Sequence, residues 1–341
     1  MAARISQAIE EGLTTRCLHR LKNRPTPPEV PYAASRIRYI MEPTWISIGA
    51  GSSEFEFRLS TSRLIVSGMN RLRNVIREHV HGLVGIRTSG TRHIRKDDGL
   101  FGRSSVCWKV HGDFTTMMIG GVAALLLQML HPAAVAGVWD HSNFRHDMQG
   151  RLRRTAQFIS GTTYGDTDQA LRLIDRVRTI HDRVRGVLPD GTPYSANDPA
   201  LLTWIHVAEV SSFLKAYVRY RDPLLPHSEQ DRYFAEVSEI AVLLGAEAVP
   251  RTRQEVSEYL RTSRADLRFD RRTRQVADAL LKQPASSLAL APFQRLVLDA
   301  GVDLLPDWAA EMHGLRIAPL RRPAIRASAI GVGSVLRWAL T

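Results

Sequence analysis

The chain has 341 residues, enough for one large domain or two smaller ones, and its 44% hydrophobic and 23% charged residues are typical of a globular protein. The formal net charge is +12, and residues 1–110 hold 18 of the 46 Lys and Arg but only 9 of the 34 Asp and Glu. The two cysteines, Cys17 and Cys107, have no metal or redox spacing, and the lack of a C-x-x-C-H motif excludes covalent attachment of a c-type haem.

Residues 1–90 are predicted to form a basic N-terminal extension, partly without order, to a main domain over 91–341. Short helices are predicted over 4–21 and over 69–83, separated by a proline-rich break. Acidic residues stand near the N-terminus, where a signal peptide would need an apolar segment, so we expect a cytoplasmic protein. The arginine excess leaves peripheral membrane association open.

From Gly99 onwards the apolar residues recur with a helical period. Asp113 is the predicted N-cap of a helix that begins at Phe114 and is the most apolar segment of the chain. Gln128, His131 and Pro132 interrupt this segment before it reaches the roughly 18–20 residues that a membrane span requires. It is therefore predicted to be a buried central helix.

Residues 150–186 read as two helices joined by a tight turn. The second is predicted to begin at the N-cap Asp166 and to stop at Gly186. His181 falls on its apolar stripe and should point inward, and the stripe contains Ala170, Ile174, Val177 and Val184. A buried imidazole needs a partner, which a carbonyl, a hydroxyl, a water or a metal can provide.

The preceding helix carries Arg151 and Thr155 four residues apart, so the guanidinium and the hydroxyl should share one face. Arg154 adds a second cation beside them. These residues form either a binding surface for an anionic group or a solvated arginine face.

The remaining helices follow without any alternation of strand and helix, so the main domain is predicted to be all-α. Asp198 opens a helix with a second inward histidine, His206, whose simplest role is a hydrogen bond, for instance to Glu209. Ser228 is predicted to cap a helix that ends at Gly245. Thr252 and Glu255 form a capping box, and further helices are predicted over 272–282, 291–304 and 323–339.

The sequence lacks the motifs of several common metal-binding and nucleotide-binding sites. There is no Glu-x-x-His pair for a di-iron bundle, no His-Glu-x-x-His zinc motif, no P-loop and no dinucleotide glycine fingerprint. Inward histidines and clustered arginines in an all-helical domain remain. That combination suits a non-covalently bound haem with an axial histidine and cations near its propionates.

The order and spacing of several segments over residues 98–341 resemble the MpaB-type oxygenase family, which includes the rubber-cleaving latex clearing proteins. The segments are LLLQMLHPAAVAGVWDHSNFRHDMQGRLRRTAQFISGTTYGD, VRTIHDRVRG, DPALLTWIHVAEVSSFLKAY and DRYFAEVSEIAVLLG followed by VPRT. The resemblance implies a globin-like helical core that binds haem b, with His181 as the iron ligand. It also places Arg151 and Thr155 on the haem side. Arg154 stands where the latex clearing proteins have a lysine, and an arginine cannot bind iron in its place.

The predicted function is therefore a haem b-dependent oxygenase that acts with O₂ on a small apolar, unsaturated, isoprenoid-like molecule. Arg151 and Thr155 are the predicted catalytic residues, and His181, Arg151 and Arg154 the cofactor-binding ones. His206 and His131 are the alternative iron ligands. Two other functions stay open: a haem carrier or sensor without turnover, and a basic helical module that binds membranes or nucleic acid.

Overall fold

Helices make up nearly all the regular structure in the described part of the chain, which is Arg73, Asn74, Arg77, 99–285 and 287–340 of a computed structural model. These residues belong to one compact unit. The twelve longer helices of 99–340 are α1 (Val106–His111), α2 (Phe114–Gln128), α3 (Pro132–His141), α4 (Met148–Tyr164), α5 (Thr167–His181), α6 (Pro199–Tyr220), α7 (His227–Leu244), α8 (Arg253–Thr262), α9 (Arg271–Leu281), α10 (Ala291–Leu304), α11 (Asp307–Met312) and α12 (Arg322–Leu340).

The prediction of an all-α fold is confirmed. Three single-turn 3₁₀ helices, Ser263–Asp266, Leu288–Leu290 and Pro319–Arg321, connect the later helices. Two short antiparallel strands, β1 (Arg185–Val187) and β2 (Pro193–Ser195), form a hairpin between α5 and α6. The predicted helix over 4–21 lies outside the described residues. Of the one predicted over 69–83, the described residues Arg73, Asn74 and Arg77 are helical.

Most predicted helix starts are confirmed. They could be predicted because the hydrogen bonds that cap these helices are local in the sequence. The Asp113 carboxylate accepts a bond from the Thr116 amide at 3.0 Å, and the Asp166 carboxylate accepts one from the Gln169 amide at 2.7 Å. Thr252 likewise caps α8. These bonds join residues only three positions apart, so the sequence alone reveals them.

Two predicted helix boundaries are wrong. α5 ends at His181 and not at Gly186, because the chain turns at once and Gly186 pairs with Tyr194 in the β hairpin. The Val184 amide donates to the His181 carbonyl at 2.9 Å, which closes this turn. α7 begins at His227, with Pro226 before it and no side-chain cap, so Ser228 does not cap it.

The core is built around α2, as its apolar sequence predicts. Gly120 allows the backbone of α6 to approach, since a Cβ on Gly120 would lie 3.0 Å from the Phe213 Cα and 3.1 Å from the Ser212 carbonyl oxygen. Trp204 fixes the other end of this contact by donating from Nε1 to the Gln128 carbonyl at 3.2 Å. α10 packs on α2 at Gly301. α2 and α6 are thus antiparallel neighbours at the centre of the fold.

One buried carboxylate ties three helices together. The Asp303 side chain on α10 is fully buried and pairs with Arg326 at 2.7 Å, Arg219 at 3.3 Å and Arg322 at 3.5 Å. The arginines come from α6 and α12 and are partly exposed. A buried carboxylate with several charge-assisted bonds is compensated for its lost hydration, so this cluster stabilises the packing of α6, α10 and α12.

No single helix within the described residues is long and apolar enough to span a membrane. By length and composition alone, α2 and α3 together would suffice, but the two helices meet at an angle of 104°. Most α2 residues are buried inside the protein, which is the arrangement that the sequence predicts for a central core helix.

Candidate active site

The two helices that carry the predicted site residues form an antiparallel hairpin. α4 and α5 pack against each other, and α4 also packs on α1 while α5 packs on α7. Arg151 lies 13 residues before the end of α4 and His181 is the last residue of α5. At a rise of about 1.5 Å per residue, both lie about 20 Å from the connecting turn. The hairpin therefore brings Arg151 and His181 to the same end.

His181 lies half-buried at this end with an unsatisfied ring nitrogen. Its Nδ1 is buried and has no hydrogen-bond partner among the described residues. Burial lowers the pKa of His181, and the charge of Asp182 opposes that shift. A neutral imidazole with a buried, unpartnered nitrogen loses about 1–3 kcal/mol unless a ligand or water completes its bonds. His181 is thus suited to bind an external group.

The Arg151 guanidinium is the interior cation of this region. It is half-buried by surface area, and Nη1 donates to the Ser142 hydroxyl at 3.3 Å. Burial lowers its pKa, and the neighbouring charge of Arg154 acts in the same direction. A guanidinium has five N–H donors, so a single bond to Ser142 leaves most of them available to an anionic partner.

The other two predicted residues on α4 lie on its outer side. Arg154 is exposed and pairs with Asp147 at 3.5 Å. Thr155 is also exposed, and its hydroxyl donates to the Arg151 carbonyl at 3.3 Å. The structure therefore brings Arg151 and His181 towards the interior and leaves Arg154 and Thr155 at the surface of the same hairpin.

We infer an apolar cavity between the α4–α5 hairpin and the central pair α2 and α6, because the apolar residues of this region are incompletely covered. Within the described residues α4 makes no extensive backbone contact with α6. The inward stripe of α4, Leu152, Ala156 and Ile159, is only half-buried although it is apolar. On α2 a Cβ added to Gly121 would meet no atom within 4 Å, so the central helix also borders open space.

The start of α6 reaches this end of the hairpin, because the side-chain amide of Asn197, just before α6, donates to the Asp182 carboxylate at 2.6 Å. Seven residues further along α6, about 10 Å away, stands His206. Its Nε2 is buried without a partner, and burial lowers its pKa to about 4. The predicted hydrogen bond between His206 and Glu209 is wrong, since neither side chain bonds to any described residue.

Glu209 lies deep among protein atoms, yet part of its surface is accessible. That combination is expected for a side chain that lines an internal cavity. Burial alone raises the pKa of its carboxyl to about 7, because no cation or hydrogen-bond donor nearby stabilises the charged form. His206 and Glu209 are three residues apart on a helix and so share one face.

A hydrogen-bonded cluster adjoins this pair and was not predicted. His111, at the end of α1, lies 2.8 Å from the Thr163 hydroxyl through Nδ1 and 3.0 Å from the Tyr233 hydroxyl through Nε2. Burial and the charge of His206 lower the pKa of His111 to about 3. The one signal in the sequence was the helical spacing of His111 from Cys107, four residues earlier on a short apolar helix.

The Cys107 thiol is poorly suited to nucleophilic chemistry in this environment. It is buried, and its Sγ lies 3.5 Å from His111 Nδ1. Burial raises the pKa of the thiol, as does the charge of Glu236, so the reactive thiolate is disfavoured. The cluster of Cys107, His111, Thr163 and Tyr233 is therefore neutral near pH 7, and its role is structural.

His131 has a structural role in the fold. It is the N-cap residue of α3, and its Nδ1 accepts a hydrogen bond from the Ala133 amide at 3.2 Å. Across the described residues no group of three or more His, Cys, Asp or Glu side chains could hold a metal ion by themselves. An iron already held by a porphyrin needs only one protein ligand, for which His181 and His206 have unpartnered nitrogens.

A surface groove of about 530 Å³ lies near the start of α4 and is distinct from this cavity. It runs between the 144–149 segment and the end of α9, and contains Asp147, Asp278 and Lys282. Neither Arg151 nor His181 lines it. An open, charged groove suits water better than an apolar molecule, so the internal cavity is the candidate active site.

Comparison with known proteins supports a single family assignment. The family described as "ER-bound oxygenase mpaB/B'/Rubber oxygenase, catalytic domain" matches residues 108–338. The match begins within α1, ends within α12 and includes α2, α4, α5 and α6 in full. No curated protein matches the chain. No solved structure matches it either.

Proposed function

The chain belongs to the mpaB/rubber oxygenase catalytic-domain family, and from that premise we propose that it is a haem b-dependent oxygenase. Its substrate is a small, apolar, unsaturated molecule of isoprenoid type, which it oxidises with O₂. The observation that carries the proposal is His181, whose buried Nδ1 has no partner and which shares one end of the α4–α5 hairpin with Arg151.

The residues around the cavity fit a haem. His181 would be the iron ligand, since neutral imidazole is the form that binds iron and burial already disfavours its protonated form. Arg151 would pair with a propionate, which explains a guanidinium kept inside the fold with one weak bond to Ser142. Arg154 and Thr155 remain proposed contacts at the outer edge of the same helix, where a propionate would reach solvent.

A bound haem would supply the iron that activates dioxygen. The protein itself would supply apolar surroundings, with Leu152, Ala156 and Ile159 on one side and Gly121 on the other. An apolar molecule bound against them would displace water. Arg151 fixes the cofactor by charge, and the buried neutral cluster around His111 offers no competing ligand, since both its ring nitrogens are already bonded. Substrate selection then depends on the shape and polarity of the cavity.

The first experiment measures haem content and the absorption spectrum of the full chain expressed with added haem. Purified wild-type protein should show a Soret band that shifts on reduction and again with carbon monoxide. His181→Ala should lose most of the bound haem or change the Soret band. The matched control is His141→Ala, because His141 is an exposed histidine that contacts the Arg185 carbonyl outside the cavity.

The outcomes separate the three functions. Full haem content and an unchanged spectrum in His181→Ala would overturn the ligand assignment, and His206→Ala and His131→Ala would then be measured. Haem binding without oxygen consumption across a panel of unsaturated isoprenoids would favour a carrier or sensor. A colourless protein that takes up no haem and binds anionic vesicles or DNA with a steep salt dependence would favour the interaction module.

A further inference from the structure

Two polar side chains on α6 have no partner among the described residues. His206 Nε2 is buried without a hydrogen bond, and Glu209 makes no hydrogen bond or ion pair with any described residue. Most buried polar groups in proteins are satisfied, and each exception costs stability. His206 Nε2 is such an exception, and the partly accessible carboxyl of Glu209 on the same helix face has no partner within the described residues, so together they form a site that an external polar group could complete.

Buried apolar residues of α6 flank this pair in the sequence: Val207, Val210 and Phe213. α2 runs antiparallel to α6, with Gly120 beside Ser212 and Gln128 beside Ile205, as the Gln128 side chain donates to the Ile205 carbonyl at 3.0 Å. That register places Gly121 within about one helical turn of Glu209 along the helix axis. The substrate of the proposed function would bring an apolar body to this pair.

The adjoining side chains do not compete for the site. Tyr233 and His111 are bonded to each other at 3.0 Å, and Thr163 occupies the second nitrogen of His111. Arg151 belongs to the other end of the hairpin, 12 residues from Thr163 along α4. Within the described residues, His206 and Glu209 are thus the unpartnered polar groups beside His111 on this stretch of α6.

We propose that His206 and Glu209 bind the hydroxyl group of an otherwise apolar substrate and so select an isoprenoid alcohol over the corresponding hydrocarbon. A hydroxyl donates one hydrogen bond and accepts others, so it can donate to the Glu209 carboxyl and pair with a His206 ring nitrogen together. A ligand carboxylate would be repelled by Glu209, and an ammonium group would pay a larger desolvation cost in an apolar cavity.

This inference rests on the proposed function in taking the cavity as the substrate site, but its test needs no turnover. The full chain is titrated by calorimetry with farnesol, with farnesyl methyl ether, which lacks the hydroxyl hydrogen, and with farnesene, which lacks the oxygen. Haem content is measured separately on the same sample. Absence of haem would contradict the proposed function, whereas the affinities of the three ligands report on His206 and Glu209 alone.

We expect farnesol to bind about tenfold more tightly than either analogue, the ratio expected for one buried hydrogen bond. Glu209→Met should reduce this preference to less than about threefold, and Glu209→Gln, which can still bond the hydroxyl, should retain part of it. His206→Phe should reduce the preference for farnesol over its analogues to the same extent. Glu239→Met is the control, because Glu239 is an exposed carboxylate on α7.

Equal affinities for farnesol and farnesyl methyl ether in the wild-type chain would overturn the proposal and indicate that water satisfies the pair. A preference that survives both Glu209→Met and His206→Phe would also overturn it, because the hydroxyl would then be bound elsewhere. Circular dichroism of each variant confirms that a lost preference reflects a lost contact and not an unfolded protein.

Discussion

Glu209→Gln should stabilise the protein, and the gain should grow with pH. Burial raises the pKa of the Glu209 carboxyl from 4.5 to about 7 in the folded protein, so the folded state binds its proton more tightly than the unfolded state does. The loss of stability caused by ionising Glu209 is absent below pH 4.5, the pKa of the carboxyl in the unfolded chain. It increases as the pH rises from 4.5 to about 7 and is constant above that. Each pKa unit corresponds to about 1.4 kcal/mol, so ionised Glu209 costs about 3 kcal/mol at pH 8 and about 1 kcal/mol at pH 5.

Urea denaturation followed by circular dichroism at pH 5 and pH 8 measures this difference. In thermal denaturation at pH 8, the melting temperature of Glu209→Gln should exceed that of the wild-type chain by roughly 6–12 °C, given about 2–4 °C per kcal/mol for a domain of this size. The other buried groups in contact with the region do not change charge in that range, since the pKa of His206 is lowered to about 4 and that of His111 to about 3.

Glu239→Gln is the matched control, because Glu239 is exposed and its nearest cation, Arg251, is 3.9 Å away. It should change stability by less than about 0.5 kcal/mol at either pH. An equal gain for Glu209→Gln at both pH values would refute the reasoning, because the gain would then not come from ionisation of Glu209. A loss at pH 8 would refute it as well, because the carboxylate would then have a partner in the folded protein.

Three further substitutions test the packing on which the cavity depends. Asp303→Asn should lower the free energy of unfolding by about 3–5 kcal/mol, because it leaves three arginines around one buried site without their anion, whereas Asp307→Asn at an exposed position should change it little. Gly120→Ala should cost about 1–3 kcal/mol, because its Cβ would crowd the α6 backbone. Gly121→Ala, on the open side of the same helix, should gain up to about 1 kcal/mol from helix propensity. Urea denaturation measures each one, and a Gly121→Ala loss as large as that of Gly120→Ala would show that no cavity borders Gly121.

The sequence by itself determined the helices, because helix starts are set by bonds between residues three positions apart. Asp113, Asp166 and Asp198 each cap the helix that their position predicts. Gly245 ends α7 in the left-handed conformation, as expected of glycine at that position. The apolar length of α2 likewise identified the central helix before any tertiary contact was known. The family resemblance, too, depended on local motifs, and it is confirmed over residues 108–338.

Only the tertiary structure decided which polar side chains have partners. His111 depends on Thr163 and Tyr233, which are 52 and 122 positions away in the chain, so no local pattern could reveal that both of its nitrogens are bonded. Glu209, three residues from His206 on the same helix face, has no hydrogen-bond or ion-pair partner among the described residues. Desolvation depends on atoms contributed by several helices at once, so no local sequence pattern predicts the burial of His181, His206 and Glu209.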